Sequence, residues 1–247
     1  GQPFRNHPVA EKARRTKPEG RGRKTERTGF MKEIFHWNDR ELLRYLGCKN
    51  GTVPDQNLTD LIAQCKQELE QAASPRVIWR EYPLCIQDHS IDMTCLQTQS
   101  KSLERNLKDC ERVLLFAATL GSRVDVLLHR YNMIQMSKAV VMQAASVAML
   151  ETFCDEQNQK LKEEYEEKGW YLRPRFSPGY GDFSLECQRQ IAPALELNKR
   201  IGVTLTDSLL MAPSKSVTAV IGVSRLPRNC TVQGCEACAK RDCAYRR

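Results

Sequence analysis

The sequence predicts an α+β fold with a mostly antiparallel sheet. Strand-like and helix-like segments are intermixed along the 247 residues, without the regular strand–helix alternation of a doubly wound fold. The most apolar strand-like run, residues 113–118, and the longest helical pattern, residues 136–168, both lie in the middle of the chain. A chain of this length can bury the core of one large domain. We therefore expect one α+β domain over residues 31–224, with segments of different character on either side.

The first half of this domain predicts two helices followed by strands. Asn38 can cap a short helix that runs to Tyr45 and is ended by Gly47. Thr59 should begin a second, amphipathic helix that ends before Pro75. The remaining predicted elements of this half are two strands, a short helix, a buried strand and a helix, over residues 77–84, 91–95, 102–110, 113–118 and 122–131.

The second half begins with the longest helical pattern, residues 136–168. Its first part is apolar nearly all round, as in a buried helix, and beyond Phe153 it becomes acidic and lysine-rich. Residues 184–200 are also helical in pattern, although Pro193 should kink or restart that helix. Two strand-like segments complete the domain, at residues 205–211 and 217–224.

The net charge of +8 is unevenly distributed. Residues 1–30 hold nine Lys/Arg against three Asp/Glu and have almost no aliphatic side chains, so we expect a disordered basic leader. The rest of the chain is close to neutral, which argues against nucleic-acid binding by the folded domain. The sequence shows neither a secretory signal nor the run of about 20 apolar residues that a membrane span needs, so we expect no membrane association and a cytoplasmic location.

The eleven cysteines fall into two groups. Seven are scattered among apolar or helical positions and are expected to be small buried side chains. The other four are clustered as Cys230-x4-Cys235-x2-Cys238-x4-Cys243. Thiolates at this spacing suit zinc or an iron–sulfur cluster, and in a reducing compartment either is favoured over two disulfides. The sequence therefore predicts a small cysteine-rich, metal-binding module over residues 225–247.

Residues 173–182, Arg-Pro-Arg-Phe-Ser-Pro-Gly-Tyr-Gly-Asp, form an irregular loop between two helical segments. Two prolines and two glycines exclude regular structure and allow the backbone to approach a ligand closely. Arg175 adds a planar guanidinium suited to a carboxylate, and Tyr180 adds a ring with a polar tip. A plain turn with one exposed arginine is the alternative interpretation.

Two separated motifs resemble a known family. Arg175-x-x-x-Gly179-Tyr180 is similar to the Arg-x-x-x-Gly-Tyr signature of the S-adenosylmethionine-binding reactivation domain of cobalamin-dependent methionine synthase. Residues 205–217, Leu-Thr-Asp-Ser-Leu-Leu-Met-Ala-Pro-Ser-Lys-Ser-Val, resemble that domain's Leu-Thr-x-Ser-x-x-Met-x-Pro-x-x-Ser-Val stretch. Residues 114–121 are also similar to the corresponding strand of stand-alone relatives. The resemblance covers residues 113–224, with weaker similarity back to Met31.

The resemblance implies a fold, a ligand and a reaction. The family's domain is a curved sheet with helices packed around it, and it binds S-adenosylmethionine. By this resemblance the cofactor-binding residues here would be Arg175, Pro178, Gly179 and Tyr180, together with Glu151 of the long helix. A partner methionine synthase or other corrinoid protein would carry the cobalamin, an external donor could supply the electron, and this chain would support reductive methylation of the cobalt.

A carboxylate at the end of the apolar half of a helix is costly unless it is paired or bound. A buried salt bridge is therefore the alternative interpretation of Glu151. Residues 116–121 contain a single glycine, too few for a dinucleotide-type loop, and are better explained as a core strand in which Thr119 could act as a supporting donor. No Ser/His/Asp or Cys/His arrangement is evident, which suits a reaction that needs no catalytic base. A non-catalytic regulator that binds nucleic acid through the cysteine module and the basic leader is the rival function.

Overall fold

A four-stranded antiparallel sheet forms the centre of the protein. The computed structural model describes residues 35–49 and 53–227. The strands of this sheet are β1 (Arg76–Pro83), β5 (Arg112–Thr119), β6 (Tyr171–Leu172) and β9 (Ser216–Ser224), and they lie in the order β1–β5–β9–β6. Every strand pair among the described residues is antiparallel, which confirms that part of the predicted fold class.

Helices cover one face of the sheet. They are α1 (Asp39–Tyr45), α2 (Gln56–Ala72), α4 (Ser122–Ile134) and α5 (Met136–Glu166). Their apolar sides meet Leu114, Phe116 and Ala118 of β5 in one hydrophobic core. At its edge Lys138 donates to Glu68 over 2.6 Å, and Tyr131 donates to the same carboxylate over 2.6 Å.

The other face of the sheet is covered by smaller elements. They are β2 (Cys85–Gln87), β3 (Ser90–Asp92), β4 (Gln97–Thr98), α3 (Lys101–Asn106), α6 (Gln188–Ala194), α7 (Leu197–Ile201), β7 (Thr204–Leu205) and β8 (Met211–Ala212). Val113, Leu115 and Ala117 of β5 point into this second core. Because both faces of β5 are covered, its sequence is continuously apolar rather than alternating.

Several predicted boundaries are confirmed by the caps. Asn38 accepts a hydrogen bond from the backbone of Glu41, and α1 ends at Tyr45 as predicted. The predicted start of the second helix, Thr59, is three residues too late. The cap is Asp55, whose side chain accepts a hydrogen bond from the backbone N–H of Leu58, so α2 begins at Gln56. The predicted helix over 184–200 does restart: α6 contains Pro193, and Glu196 adopts a left-handed conformation before α7.

The predicted strand over residues 205–211 is wrong. These residues run from the last residue of β7, Leu205, through a turn to the first residue of β8, Met211. Thr206 and Leu210 close this turn through a backbone hydrogen bond of 2.9 Å, and Leu209 has a φ of 64°. A strand through these residues would require an extended backbone at Leu209. No helix among the described residues is long and apolar enough to cross a membrane.

Candidate functional site

The arginine loop, residues 173–183, runs along the free edge of β9. The backbone N–H of Arg173 donates to the carbonyl of Gly222, and Phe176 exchanges both backbone hydrogen bonds with Val220 at 2.9 and 2.8 Å. The Phe176 ring also packs against Phe183, with ring centroids 6.2 Å apart. Phe183 is fully buried, so the far end of the loop is also fixed to the core.

The two glycines of the arginine loop adopt conformations that other residues rarely take. Gly179 has a φ of 93° and donates its N–H to the carbonyl of Phe183 over 2.8 Å. A Cβ on Gly179 would make only an ordinary contact, 3.6 Å from Leu185, so its constraint is the backbone angle. At Gly181, φ is 56° and an added Cβ would lie 2.8 Å from the Ser102 hydroxyl. The close approach in this loop therefore occurs at Gly181.

Asp182 fastens the arginine loop to helix α3. Its carboxylate accepts hydrogen bonds from the Ser100 hydroxyl at 2.6 Å and from the backbone N–H groups of Lys101 and Ser102 at 2.8 and 3.0 Å. These donors, the Ser100 hydroxyl first, hold the pKa of the Asp182 carboxyl well below its usual range. The loop is thus anchored at Phe176 on one side and at Asp182 on the other.

Arg175 projects from the loop onto helix α5. Its Nη2 lies 3.3 Å from Glu151 Oε2 and 2.7 Å from Asp155 Oδ1. The Arg175 side chain is 17% exposed, whereas those of Glu151 and Asp155 are 41% and 70% exposed. Both ion pairs use the same terminal nitrogen, Nη2, so neither involves Nε or Nη1. Two of the predicted site residues, Arg175 and Glu151, are therefore in contact.

Cys154 lies beneath this ion triplet on the buried side of α5. Burial raises the pKa of its thiol to about 12, and the neighbouring Arg175 offsets this only in part. The thiol is therefore protonated at neutral pH, and it contributes packing rather than charge to the site.

The other predicted site residues differ in their exposure to solvent. Pro178 is buried, and Gly179 is exposed at the turn. The Tyr180 side chain is 67% exposed, so its ring is open to solvent beside the loop. The arginine loop therefore presents a cation, an open backbone turn and an aromatic ring within six residues.

Arg173 occupies the opposite face of the same sheet edge. It is 2% exposed, and none of its three side-chain nitrogens has a hydrogen-bond partner among the described residues. Its Cγ packs over Gly222, where an added Cβ would lie 3.0 Å from it. Arg173 and Arg175 are two residues apart, yet one is buried without a partner and the other is ion-paired near solvent.

The second motif, residues 205–217, includes a turn around Ser214 that is held against α4 and α5. Asp125 accepts hydrogen bonds from the backbone and the hydroxyl of Ser214 at 2.7 and 2.6 Å. Ser216 Oγ lies 2.8 Å from Thr119 Oγ1, and Lys215 donates to Gln143 of α5 over 2.7 Å. Thr119 therefore supports this turn. Desolvation lowers the pKa of Lys215, with Asp125 opposing that shift.

Sequence reasoning missed two carboxylates of the site. Asp155 follows Glu151 by four residues on one helix, and this spacing puts both side chains on the same face. That signal was present in the sequence. Asp182 could not be recognised as an anchor, because its partners lie 80 to 82 residues earlier in the chain.

The four clustered cysteines, Cys230, Cys235, Cys238 and Cys243, lie outside the described residues, as does the leader over residues 1–30. Within residues 35–49 and 53–227, no group of three or more His, Cys, Asp or Glu side chains could hold a metal ion. The metal-binding module therefore stays a prediction from the sequence.

Comparison with known proteins shows similarity to solved structures. No protein-family model matches the chain, and no curated protein matches its sequence. Among solved structures, it matches the crystal structure of the MetH reactivation domain bound to AdoHcy, with a TM-score of 0.52. The match covers 70% of this chain and 67% of that one. The chain has the fold of the MetH reactivation domain. The sequence identity is 18%, so the match establishes the fold, as the two sequence motifs predicted.

Proposed function

We propose that this chain binds S-adenosylmethionine between the arginine loop and helix α5, and that it supports reactivation of cobalamin held by a separate protein. The observation that carries the proposal is the contact of Arg175 with Glu151 and Asp155, in a fold shared with a reactivation domain that was crystallised with AdoHcy. AdoHcy, S-adenosylhomocysteine, is what S-adenosylmethionine becomes when it loses its methyl group.

The described residues suit the charges of this ligand. Arg175 is half-buried and held in place by two carboxylates on Nη2, so the fixed geometry of its planar guanidinium lets Nη1 donate to the ligand's carboxylate while Nη2 stays paired. Glu151 and Asp155 offer acceptors for the ammonium group or the ribose hydroxyls. Gly179 leaves the backbone of the turn open, and Tyr180 offers a ring for stacking.

The chain's part in the reaction is positioning. The bound ligand supplies an activated methyl group on a sulfonium, and the cobalt of the partner's cobalamin supplies the nucleophile. This chain therefore needs no general base, and its task is to hold the methyl in line and to exclude water. We propose a methionine synthase or another corrinoid protein as the partner, with the reducing electron coming from an external donor.

Calorimetric titration of the full chain with S-adenosylmethionine tests the proposal. The wild-type protein should bind, and Arg175→Lys should weaken binding about 10- to 100-fold, nearly as much as Arg175→Ala, because an ammonium does not reproduce the fork. Arg189→Lys is the matched control, because Arg189 is an exposed arginine of α6 that pairs with Glu186. A wild-type protein that does not bind the ligand contradicts the function, and wild-type affinity in Arg175→Lys contradicts the role of Arg175.

A further inference from the structure

The ion triplet on helix α5 carries more negative than positive charge. One guanidinium, that of Arg175, faces two carboxylates, Glu151 and Asp155. The next residue of α5, Glu156, is a further carboxylate and lies 3.7 Å from a His36 nitrogen. The site therefore presents a net negative charge.

The protein does not depend on the ion pair between Asp155 and Arg175 for its stability. The Asp155 side chain is 70% exposed, so water solvates the carboxylate whether or not Arg175 pairs with it. An ion pair this close to solvent contributes little to stability. Glu151 is the less exposed of the two and already places a countercharge beside the guanidinium. The charge of Asp155 is thus available to a ligand.

We propose that Asp155 is a specificity-determining residue that makes the site prefer the sulfonium methyl donor over its neutral demethylated product. This inference rests on the proposed function. S-adenosylmethionine carries a carboxylate, an ammonium and a sulfonium, whereas S-adenosylhomocysteine has the first two groups and an uncharged sulfur. The surplus negative charge attracts the sulfonium ligand more strongly, and this attraction disappears when the methyl group leaves. The product is released as a consequence, and the site is ready for another donor.

The two ligands and a set of variants isolate this effect. Calorimetry should measure both affinities for the full-length wild type, Asp155→Asn and Asp155→Glu. We expect Asp155→Asn to lose about tenfold in affinity for S-adenosylmethionine, equivalent to about 1.4 kcal/mol, with the product's affinity changed by less than about twofold. Asp155→Glu keeps the charge and should keep the preference. Glu163→Gln is the control for a general charge effect, because Glu163 is exposed on the same helix two turns beyond Asp155 and should change neither affinity.

Each result separates the inference from the function on which it rests. An equal loss of both ligands in Asp155→Asn would show that Asp155 acts only by orienting Arg175, and unchanged affinities would show no role; either overturns the inference and leaves the proposed function standing. A wild-type protein that binds neither ligand overturns both. In the wild type, raised salt should weaken the binding of S-adenosylmethionine more than the binding of S-adenosylhomocysteine. In Asp155→Asn it should weaken the binding of both ligands by equal amounts.

Discussion

At the residue scale, Arg173 has an unusual environment, because its charged side chain is buried without a hydrogen-bond partner among the described residues. An arginine stays charged in proteins, so burial without a hydrogen-bond partner is costly. Gly222 makes room for it, since a Cβ there would meet Cys110 Sγ at 2.6 Å as well as Arg173. Its burial contrasts with Arg175, whose two carboxylate partners lie near solvent.

The effect of replacing Arg173 follows from this burial. Arg173→Met keeps much of the length of the side chain and removes the charge, and we expect it to raise the free energy of unfolding by about 1–4 kcal/mol. The thermal midpoint, followed by circular dichroism, should rise by several degrees. Arg189→Met, at an exposed arginine, should change stability by less than about 0.5 kcal/mol. A clear loss of stability in Arg173→Met would mean that the guanidinium has a partner beyond the described side chains.

At the residue scale, the sequence predicts individual site residues but not the contacts between them. It predicts Arg175 and Glu151 separately, and the fold brings them together. Of the two glycines in the loop, Gly181 makes the close contact, with Ser102, and only the folded chain places Ser102 beside the loop. Local sequence indicates which residues have the chemistry to bind a ligand. Contacts between distant segments decide which of those residues lie together.

At the element scale, the predicted elements that bury a continuous apolar pattern were the most accurate. Helix α5 and strand β5 lie within two residues of their predicted bounds, because each has a long apolar pattern with few alternatives. The predicted strand over residues 205–211 was wrong, because its turn depends on Thr206 and on a left-handed Leu209 rather than on a proline or glycine.

The link between Asp182 and helix α3 should make stability depend on pH. The folded-state pKa of Asp182 is depressed, so its contribution is present above the unfolded pKa of about 3.9 and is lost as pH falls toward the folded value. Asp182→Asn should lower the thermal midpoint at pH 7 by a few degrees, and the difference from the wild type should narrow below about pH 4. Asp60→Asn, at an exposed carboxylate of α2, is the control. A difference that stays constant down to pH 2 would contradict this role.

At the scale of the whole molecule, a hydrophobic core covers each face of the central sheet within the described residues, 35–49 and 53–227. The end of β9 is held by Arg225, whose guanidinium stacks 3.7 Å from the centre of the Trp170 ring. Arg112 lies 4.6 Å from the same centre. A binding domain should therefore retain Arg225, one residue beyond the predicted boundary at 224.

Truncation separates the proposed binding domain from the predicted cysteine module. A chain ending at Pro227 should bind S-adenosylmethionine within about threefold of the full-length protein, because the described site lies entirely before that residue. Calorimetry measures this, with the full-length protein as control. Full-length protein purified without oxygen should contain zinc or a coloured, reducible iron–sulfur cluster, and the truncated chain should contain neither. A loss of ligand binding on truncation would place the module within the binding site, and cysteines oxidised in pairs would contradict the metal prediction.

The double anchoring of the arginine loop has a consequence for its dynamics. Between Phe176, bonded to β9, and Asp182, bonded to α3, only five residues span the turn. A segment fixed at both ends loses little conformational entropy when it closes on a ligand. The amide hydrogens of Phe176, Gly179 and Phe183 are all bonded to backbone carbonyls in the structure, so they should exchange slowly with solvent deuterium before any ligand arrives. The loop is therefore already shaped before a ligand binds. Under the proposed function, the movement that brings the methyl group to the cobalt would then belong to the two proteins as whole bodies.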